Sequence, residues 1–448
     1  MCNDCKKYRN PGNIIGRILN RLGNITSLND YIEYLKIKKN LRMTSEELKQ
    51  FQDDRLRKII RHSYETVPYY KKLFDGHDIT PEDIKSVDDL AKIPITEKRT
   101  FQNADNREFL STCFGQKDLT LTTTGGSTGT PLKIYMSKKG LRRRLAEGRR
   151  ILFLHGFSAF DKSLLFSFYS YPEELIGLLG LFRQKHVPWE ISIAEQYKIF
   201  REYDADGIRG YPSRVNLLAE YILDNNLDVK KPRTILISAE FLDDDVRKRI
   251  EKVFGAKVTN TYACEEYGQA AWECRMHDGL HVNSDSLVIQ IIKNGKEASP
   301  GEEGEVICTD LNNYAMPLIR YNLGDIAAMS GRKCPCGISF PLIENLKGRA
   351  SDYFVLPSGN KFSSTFIYIL PRLGGVLEYQ IAQKSLTRLD VKIVKSRDWT
   401  PEHTKKIWNF LNKCSTLKDI RISYVKSIKR TKRAKLRRFI PLKNSKKV

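Results

Sequence analysis

One strand–helix–strand segment, residues 233–268, constrains the fold of this chain most strongly. Residues 234–239 (TILISA) are an apolar run bounded by polar residues, which predicts a buried strand. Asp243 can cap the helix that follows, Gly255 can end it, and residues 257–263 predict the next strand. The apolar positions of the helix recur on one face: Val246, Ile250, Val253 and Phe254. This pattern predicts a right-handed parallel crossover and therefore an α/β fold.

Polar residues follow both strands of this segment. Glu240 comes soon after the first strand, and Tyr262 to Glu266 come at the end of the second. Ligands of parallel sheets bind beyond the carboxyl ends of the strands. We therefore expect these two polar clusters to share one ligand-binding crevice.

Length, hydropathy and cysteine content narrow the class of protein. The chain has 448 residues, enough for about two or three domains, and its hydrophobic fraction of 41% is sufficient for sizeable cores. No run of about 18 apolar residues occurs, so no membrane-spanning helix is expected. The charged N-terminus predicts no secretory signal. Nine irregularly spaced cysteines predict thiols and metal ligands in a reducing, cytoplasmic compartment rather than a disulfide scaffold.

The charge of the chain is strongly basic and unevenly distributed. Lys and Arg number 76 against 53 Asp and Glu, which gives a formal net charge of +23. Eleven of these cations, and no anion, lie in residues 426–448. A surplus of this kind predicts a polyanionic partner: a phosphate-rich ligand, nucleic acid or an acidic membrane surface.

The sequence predicts a basic extension over residues 1–43, a large domain over 44–347 and a small α+β domain over 348–448. A capping box that starts at Thr44 opens the large domain, ahead of a helix predicted over 45–66. Short alternating strands after about residue 280 predict an antiparallel or barrel-like subdomain. The small domain should hold two strands and a helix, near 353–356, 389–394 and 401–413.

Residues 122–131 (TTTGGSTGTP) form a loop rich in glycine and hydroxyl side chains. Such a loop can turn several backbone N–H groups toward one anion, so it suits phosphate oxygens. It is not a Walker P-loop, because no Gly-Lys-Ser/Thr follows, and a flexible hairpin turn is the alternative interpretation. Two later segments contain Glu266 and Asp325, which offer carboxylates to Mg²⁺ or to ribose hydroxyls, although isolated acids are more often surface residues.

Cysteine and histidine residues in the second half of the large domain predict a metal site. Cys274, Cys334 and Cys336, with His277 or His281, would supply the four ligands of a tetrahedral, structural Zn²⁺. Free buried thiols are the alternative interpretation.

The order of these motifs resembles that of the adenylate-forming ligase superfamily. The chain is most similar to its phenylacetate–coenzyme A ligase branch, which includes the CapK proteins of polysaccharide gene clusters. The resemblance covers about residues 45–441. The matching motifs are the loop 122–131, Tyr262-x-x-x-Glu266, Arg320-Tyr321-x-x-Gly324-Asp325, Gly348-Arg349-x-x-Asp352 and a C-terminal lysine, with Val67-Pro68-Tyr69-Tyr70 and Gly210-Tyr211-Pro212-Ser213 typical of the branch. The resemblance implies an α/β fold with a large adenylation domain and a small, mobile C-terminal domain.

The resemblance also implies a binding site for ATP. Ala239 and Glu240 would flank the adenine, and Tyr262 would stack near it. Asp325 would hold the ribose hydroxyls, while Arg349 would support the ribose or a phosphate. The loop that wraps the phosphates would consist of Thr124, Gly125, Gly126, Ser127, Thr128 and Gly129.

Two catalytic residues follow from the same resemblance. Glu266 matches the Mg²⁺-binding glutamate. The basic tail matches the family motif Ile-Pro-Arg-Thr-x-x-Gly-Lys-x-Arg, so Lys435 corresponds to the catalytic lysine. Ala434 replaces the glycine of that motif and Lys429 replaces its proline. Polyphosphate chemistry thus accounts for part of the basic surplus, whereas the basic helix at 142–150 would suit an anionic surface or a polysaccharide partner.

These motifs imply an enzyme that activates an aryl or medium-length carboxylic acid as acyl-AMP. The acyl group would pass to CoA or, in capsular or exopolysaccharide synthesis, to an amino sugar or glycan. The family spacing favours His281 over His277 as the zinc ligand. The alternative functions are an inactive relative and a basic, zinc-containing protein that binds nucleic acid or a membrane surface. Because the tail coincides with a catalytic motif, no nucleic-acid partner is expected, although the tail would suit peripheral contact with an anionic membrane.

Overall fold

The computed structural model describes residues 26–103, 106–124, 131–167, 177, 180–349, 353–357, 361–363, 370, 373–415, 419–431 and 435–442. These residues form two compact units, each assembled from separate stretches of chain. The first unit is built from the described residues of 1–160, 174–182 and 259–346, and the second from those of 161–173, 183–258 and 347–448. The domain limits expected from the sequence stay predictions.

The described residues form α-helices and short 3₁₀ helices. The α-helices are Thr26–Lys38, Ser45–Thr66, Pro68–Asp75, Lys98–Asn103, Lys138–Leu154, Ile193–Tyr203, Pro212–Asp224, Asp244–Phe254 and Pro401–Ser415. The 3₁₀ helices are Lys39–Arg42, Pro81–Asp83, Val87–Lys92, Asn106–Phe109 and Gln116–Asp118. No helix of the described part of the chain has the length and apolar content needed to cross a membrane.

Strands make up most of the remaining regular structure. In the first half of the chain they are Leu119–Thr123, Lys133–Ser137, Ser163–Phe166, Gln184–His186, Gly207–Gly210 and Thr234–Ser238. Those of the middle region are Val258–Cys264, Gly268–Glu273, Leu280–Val282, Leu287–Lys293, Lys296–Glu297, Gly304–Asp310, Tyr321–Met329 and Leu342–Arg349. The C-terminal strands are Tyr353–Val355, Lys361–Ser363, Val376–Gln383, Arg388–Lys395, Asp419–Tyr424 and Phe439–Ile440.

The first long helix of the first unit begins where the capping box predicts. The Thr44 hydroxyl accepts the Glu47 amide, and the Glu47 carboxylate accepts the Thr44 amide, so the helix Ser45–Thr66 starts with two backbone donors satisfied. Val67 precedes a proline and ends this helix, and a second helix, Pro68–Asp75, starts directly after it. The apolar faces of both helices are buried in one core cluster, which explains why they pack together.

Antiparallel strands form the body of the first unit. Gly268–Glu273 pairs with Val258–Cys264 on one side and with Leu280–Val282 on the other. Gly304–Asp310 lies between Leu287–Lys293 and Tyr321–Met329. The antiparallel arrangement expected after about residue 280 is therefore confirmed.

A parallel sheet forms the first part of the second unit. Its strand order is Thr234–Ser238, Gly207–Gly210, Ser163–Phe166 and Gln184–His186, and each neighbouring pair is parallel. The predicted helix is present as Asp244–Phe254, with Val246, Ile250 and Phe254 buried. Gly255 ends it at φ +64°, a left-handed conformation that favours glycine.

The C-terminal part of the second unit is a four-stranded sheet with one helix. Its strand order is Asp419–Tyr424, Arg388–Lys395, Val376–Gln383 and Phe439–Ile440, and Pro401–Ser415 is the helix. The sheet and the helix share one apolar core, to which Ile407 and Leu411 contribute from the helix. Together with the parallel and antiparallel sheets, this confirms the α/β class and the smaller C-terminal sheet.

Candidate active site

Two predicted ATP-binding residues meet in the first unit. Tyr262 lies on the strand Val258–Cys264, and Asp325 lies on the strand Tyr321–Met329. The Tyr262 hydroxyl donates a hydrogen bond of 2.6 Å to Oδ2 of Asp325. Burial raises the pKa of Tyr262 well above its usual value, so the hydroxyl keeps its proton and stays a donor. The bond fixes the direction of the Asp325 carboxylate.

Glu266 lies beside the same strand, in the turn between Val258–Cys264 and Gly268–Glu273. Its carboxylate is buried, and Oε1 accepts a 3.4 Å hydrogen bond from the Tyr321 hydroxyl. The ammonium group of Lys98 lies 3.9 Å from the same oxygen. The sequence motifs did not identify Lys98, because a lone lysine at the start of a short helix has no distinguishing spacing. A buried carboxylate supplies the kind of oxygen ligand that Mg²⁺ prefers.

The turn that carries Glu266 is held by an arginine of the basic helix Lys138–Leu154. The Arg144 guanidinium donates to the carbonyl oxygens of Cys264 and Glu265 at 2.9 and 2.7 Å. Gly268 has φ +79°, and an added Cβ there would lie 2.6 Å from Arg144. This close approach explains the glycine and assigns Arg144 an internal role. The expectation that the whole basic helix faces an anionic partner is therefore wrong for this residue.

Two further arginines of that helix also point inward. Arg143 and Arg150 are buried and form ion pairs with the fully buried Asp285 at 2.8 Å. Arg143 also pairs with Glu147 at 2.9 Å. These buried carboxylates neutralise arginine charges that the sequence alone had suggested for an external partner.

Thr124 is buried and directly follows the strand Leu119–Thr123, where the predicted phosphate loop begins. Its hydroxyl accepts the Leu132 amide at 2.9 Å, and its own amide donates to the Leu132 carbonyl at 2.9 Å. The flanking strands Leu119–Thr123 and Lys133–Ser137 pair antiparallel, as the strand–loop–strand prediction requires. Gly125, Gly126, Ser127, Thr128 and Gly129 lie outside the described residues, so their role stays a prediction.

The predicted adenine residues lie in the second unit, just after the strand Thr234–Ser238. Ala239 has φ +70°, a left-handed conformation that is strained for alanine and turns the chain sharply. The Glu240 carboxylate then accepts two backbone amides, from Ser213 at 3.2 Å and from Leu436 at 2.7 Å. The approach of Glu240 to the Tyr262 strand stays a prediction.

Lys435 lies beside this turn in the same unit. Its ammonium group is 5.7 Å from the centroid of the Tyr211 ring. The loop is closed by backbone contacts, because the Thr431 amide donates to the Lys435 carbonyl at 3.0 Å and the Lys435 amide donates to the Thr431 hydroxyl at 3.2 Å. Ala434 lies outside the described residues. Arg349 ends the strand Leu342–Arg349, and its side chain is likewise outside the described part.

A buried ion pair lies at the start of the lysine loop. Arg430 pairs with Glu378, whose carboxylate is buried on the strand Val376–Gln383. Burial raises the pKa of Glu378, and the charge of Arg430 opposes that rise. Arg430 belongs to the tail motif, so the tail is anchored to its own sheet as well as to Glu240.

The structure brings together the cysteines and one of the two candidate histidines. One ligand atom from each of Cys274, His281, Cys334 and Cys336 lies within 4.8 Å of the others. The Cys274 and Cys334 sulfurs are 3.5 Å apart, and His281 Nε2 is 3.3 Å from the Cys336 sulfur. His281 Nδ1 is 2.9 Å from the Phe340 carbonyl, which fixes a proton on Nδ1 and turns Nε2 toward the sulfurs.

His277 has a different partner. Its Nδ1 lies 3.2 Å from a carboxylate oxygen of Glu273, and it does not belong to the group of four. Three thiols and one imidazole are a donor set that fits tetrahedral Zn²⁺. Zinc binding itself stays a prediction.

The chain was compared with known proteins in sequence and in fold. No family model matches the chain. Phenylacetate-coenzyme A ligase of Thermus thermophilus is 25% identical over 361 residues, which cover 77% of this chain and 80% of that protein. Protein CapK of Staphylococcus aureus is 26% identical over 302 residues, which cover 61% of this chain and 63% of that protein. The crystal structure of 2-hydroxyisobutyryl-CoA ligase in the postadenylation state with 2-HIB-AMP has a TM-score of 0.74 at 19% identity, covering 89% of this chain and 90% of that one.

The fold is therefore that of the adenylate-forming ligases. In sequence, the chain is similar to phenylacetate–coenzyme A ligases and to protein CapK, at 25–26% identity. The resemblance predicted from the ordered motifs is confirmed.

Proposed function

We propose that this chain is an AMP-forming ligase that activates a carboxylic acid as acyl-AMP and transfers the acyl group to CoA. The observation that supports this most directly is the bond between Tyr262 and Asp325, beside the buried Glu266. These residues are widely spaced along the chain, and each occupies the motif position that the family uses for nucleotide or metal. The names of the matching relatives, phenylacetate–coenzyme A ligases, support CoA as the acceptor.

In the first half-reaction, an oxygen of the substrate carboxylate attacks the α-phosphorus of ATP. The bond from that phosphorus to the bridging oxygen breaks, and pyrophosphate leaves with its electron pair. Negative charge increases on the transferring group, and the Lys435 ammonium would neutralise it. Asp325 would accept the ribose hydroxyls, Thr124 and the loop 125–129 would hold the phosphates, and Ala239, Glu240 and Arg349 would position the nucleoside.

Glu266 would hold Mg²⁺, which supplies positive charge to the phosphate oxygens when bound. In the second half-reaction, the CoA sulfur attacks the acyl carbon, the carbon–oxygen bond to AMP breaks, and the thiol proton is released. The enzyme forms no covalent bond to the acyl group. Cys264 lies in this region, but burial raises the pKa of its thiol, which suits a lining residue rather than a nucleophile.

The acid that we propose is an aryl or medium-length carboxylic acid. An amino sugar or glycan is the second candidate acceptor, and it rests on the match to protein CapK. ATP–pyrophosphate exchange with a panel of aryl and medium-chain acids would test the first half-reaction. The same assay would identify the acid. Exchange with at least one acid is expected, and no exchange with any acid would contradict the proposal.

We also propose that Cys274, His281, Cys334 and Cys336 hold one structural Zn²⁺. The four protein ligands would close the coordination sphere, so the metal would cross-link two distant segments rather than take part in the reaction. Cys274 and Cys334 are 60 residues apart in sequence, so such a link constrains the chain strongly.

A further inference from the structure

A cavity of about 230 Å³ lies in the first unit beside the first turn of the helix Lys138–Leu154. Its described lining carries four cationic side chains and one carboxylate, a net charge of +3: Arg55, Lys58, Lys139, Arg143 and Glu33. Glu33 is already paired with Lys36 at 3.4 Å, outside the cavity lining. Because Arg143 is paired with Glu147 and Asp285, the cations that this cavity offers to a ligand are chiefly Arg55 and Lys58.

Arg55 is the residue that points most clearly to a ligand. Its guanidinium is half-buried, donates to Oδ1 of Asn312 at 2.5 Å and lies 4.6 Å from the Phe51 ring. Within the part of the chain that the structure describes, no carboxylate forms an ion pair with Arg55. Asp285 and Glu147 offset part of its charge without contacting it, so an anion in direct contact with the guanidinium would be favoured.

Neighbouring cations add to the positive charge around Arg55. Arg143 lies close enough that, together with burial, its charge lowers the pKa of Arg55. The charge of Arg143 is itself used by Glu147 and Asp285. Lys58 extends from the helix that carries Arg55, and its side chain is exposed. An anion between Arg55 and Lys58 would therefore reduce repulsion and gain hydrogen bonds at the same time.

The helix end adds partial positive charge beside the cavity, although the Gly140 amide itself donates to the Ser137 hydroxyl at 3.1 Å. Ser137 caps the helix Lys138–Leu154, and both Ser137 and Gly140 line the cavity. The N-terminus of a helix of this length carries partial positive charge. A guanidinium, two ammonium groups and a helix end are better matched by a dianion with several oxygens than by a carboxylate with two.

We propose that this cavity binds a phosphate group, either free phosphate or a phosphate carried by a nucleotide such as CoA. Of the residues assigned to ATP, neither Thr124, Tyr262 nor Asp325 is among its described lining residues. A narrow cavity shares Gly140, Arg143 and Asn312 with it and reaches Glu266. The phosphate site is therefore adjacent to the proposed adenylation residues but has its own ligands.

Isothermal titration of the full chain with inorganic phosphate tests the proposal. The variant Arg55→Gln/Lys58→Gln should bind phosphate at least about tenfold more weakly, and binding by the wild type should weaken as salt rises. The matched control is Arg57→Gln/Arg61→Gln, which removes two exposed cations of the same helix that pair with Asp54 and Glu82. This control should bind within about twofold of wild type. Phosphate bound at the ATP loop would be unaffected by either variant.

Two comparisons identify the source of the phosphate. Loss of affinity for CoA but not for dephospho-CoA in the double variant assigns the site to the 3′-phosphate, whereas loss for inorganic phosphate alone assigns it to the free ion. Equal phosphate binding by wild type and the double variant overturns the proposal, as does absence of binding by wild type. Should the double variant fail to fold, the single variant Lys58→Gln must weaken binding at least twofold, or the proposal fails. Pyrophosphate exchange, followed separately, tests only the proposed function.

Discussion

The backbone amide of Leu436 donates a hydrogen bond of 2.7 Å to Oε1 of Glu240, directly beside Lys435. The other carboxylate oxygen, Oε2, accepts the Ser213 amide at the start of the helix Pro212–Asp224. Glu240 thus joins the predicted adenine turn, a helix N-terminus and the lysine loop within the second unit. We therefore expect Glu240 to position Lys435.

Replacing Glu240 tests this role. A glutamine has a single acceptor oxygen, so Glu240→Gln cannot accept both amides and would place an NH₂ group against one of them. The loss of one hydrogen bond to a charged group, about 1.5–3 kcal/mol, predicts pyrophosphate exchange about 10- to 100-fold slower. The effect should fall on kcat more than on the KM for ATP. The exposed Glu202→Gln is the control, and an unchanged kcat in Glu240→Gln would contradict the role.

Removal of the Lys435 ammonium should slow adenylation directly. Lys435→Ala is expected to lose about 10²–10³ in exchange rate, because the ammonium group that would neutralise the transferring phosphoryl group is removed. Lys426→Ala removes an exposed cation of the same tail and should retain the wild-type rate. Equal exchange in the two variants would reject the assignment of Lys435.

The ribose assignment predicts a loss of nucleotide affinity. Asp325→Ala should weaken ATP binding about 10- to 100-fold, because hydrogen bonds to a charged acceptor are lost. Tyr262→Phe keeps the carboxylate and removes only the 2.6 Å bond that orients it, so its effect should be smaller. Equilibrium binding of ATP measures both. Wild-type affinity in Asp325→Ala would exclude the ribose role.

The metal site predicts a contrast between two histidines. His281→Ala and Cys334→Ser should lose the metal, whereas His277→Ala should keep it, because His277 is paired with Glu273 instead of the sulfurs. Metal analysis of the purified wild type should give about one Zn per chain. A stable wild type without metal would refute the site. Loss of zinc in His277→Ala but not in His281→Ala would identify His277 as the ligand instead of His281.

Asp285 should contribute strongly to stability. It is fully buried and accepts hydrogen bonds at 2.8 Å from Arg143, Arg150 and Asn40. Asp285→Asn removes the carboxylate that pairs with the buried Arg150 and leaves Arg143 with Glu147, so we expect a loss of about 3–5 kcal/mol in the free energy of unfolding. Denaturant titration at neutral pH measures it, with the exposed Asp88→Asn as control.

The ion pairs of Asp285 with Arg143 and Arg150 also predict that stability depends on pH. Burial alone would raise the pKa of Asp285, but the charges of Arg150 and Arg143 outweigh it and hold the pKa well below its usual value. Its contribution is therefore present above the unfolded-state pKa of about 4 and is lost as the pH falls below it. The difference in stability between wild type and Asp285→Asn should shrink in that acidic range. A difference that stays constant would contradict the pKa assignment.

Local patterns in the sequence predicted several features of the fold. The capping box at Thr44 and Glu47 predicted the start of a helix, and Gly255 predicted the end of another, because each acts through backbone groups a few residues away. The order of short motifs likewise predicted the family without any knowledge of contacts. Such features depend on neighbours along the chain and can be recognised there.

The basic helix shows what the sequence alone could not decide. A run of arginines indicates charge but not direction. Arg143, Arg144 and Arg150 turn inward toward partners that include groups more than a hundred residues away along the chain, so the sequence did not show the pairing. Likewise, the family spacing favoured His281 over His277, and the fold places the His281 imidazole beside the three sulfurs. The sequence by itself determined the class of protein and the order of its motifs. The tertiary structure decided which charges are neutralised inside and which line a cavity, because pairing depends on distances in space rather than on separation along the chain.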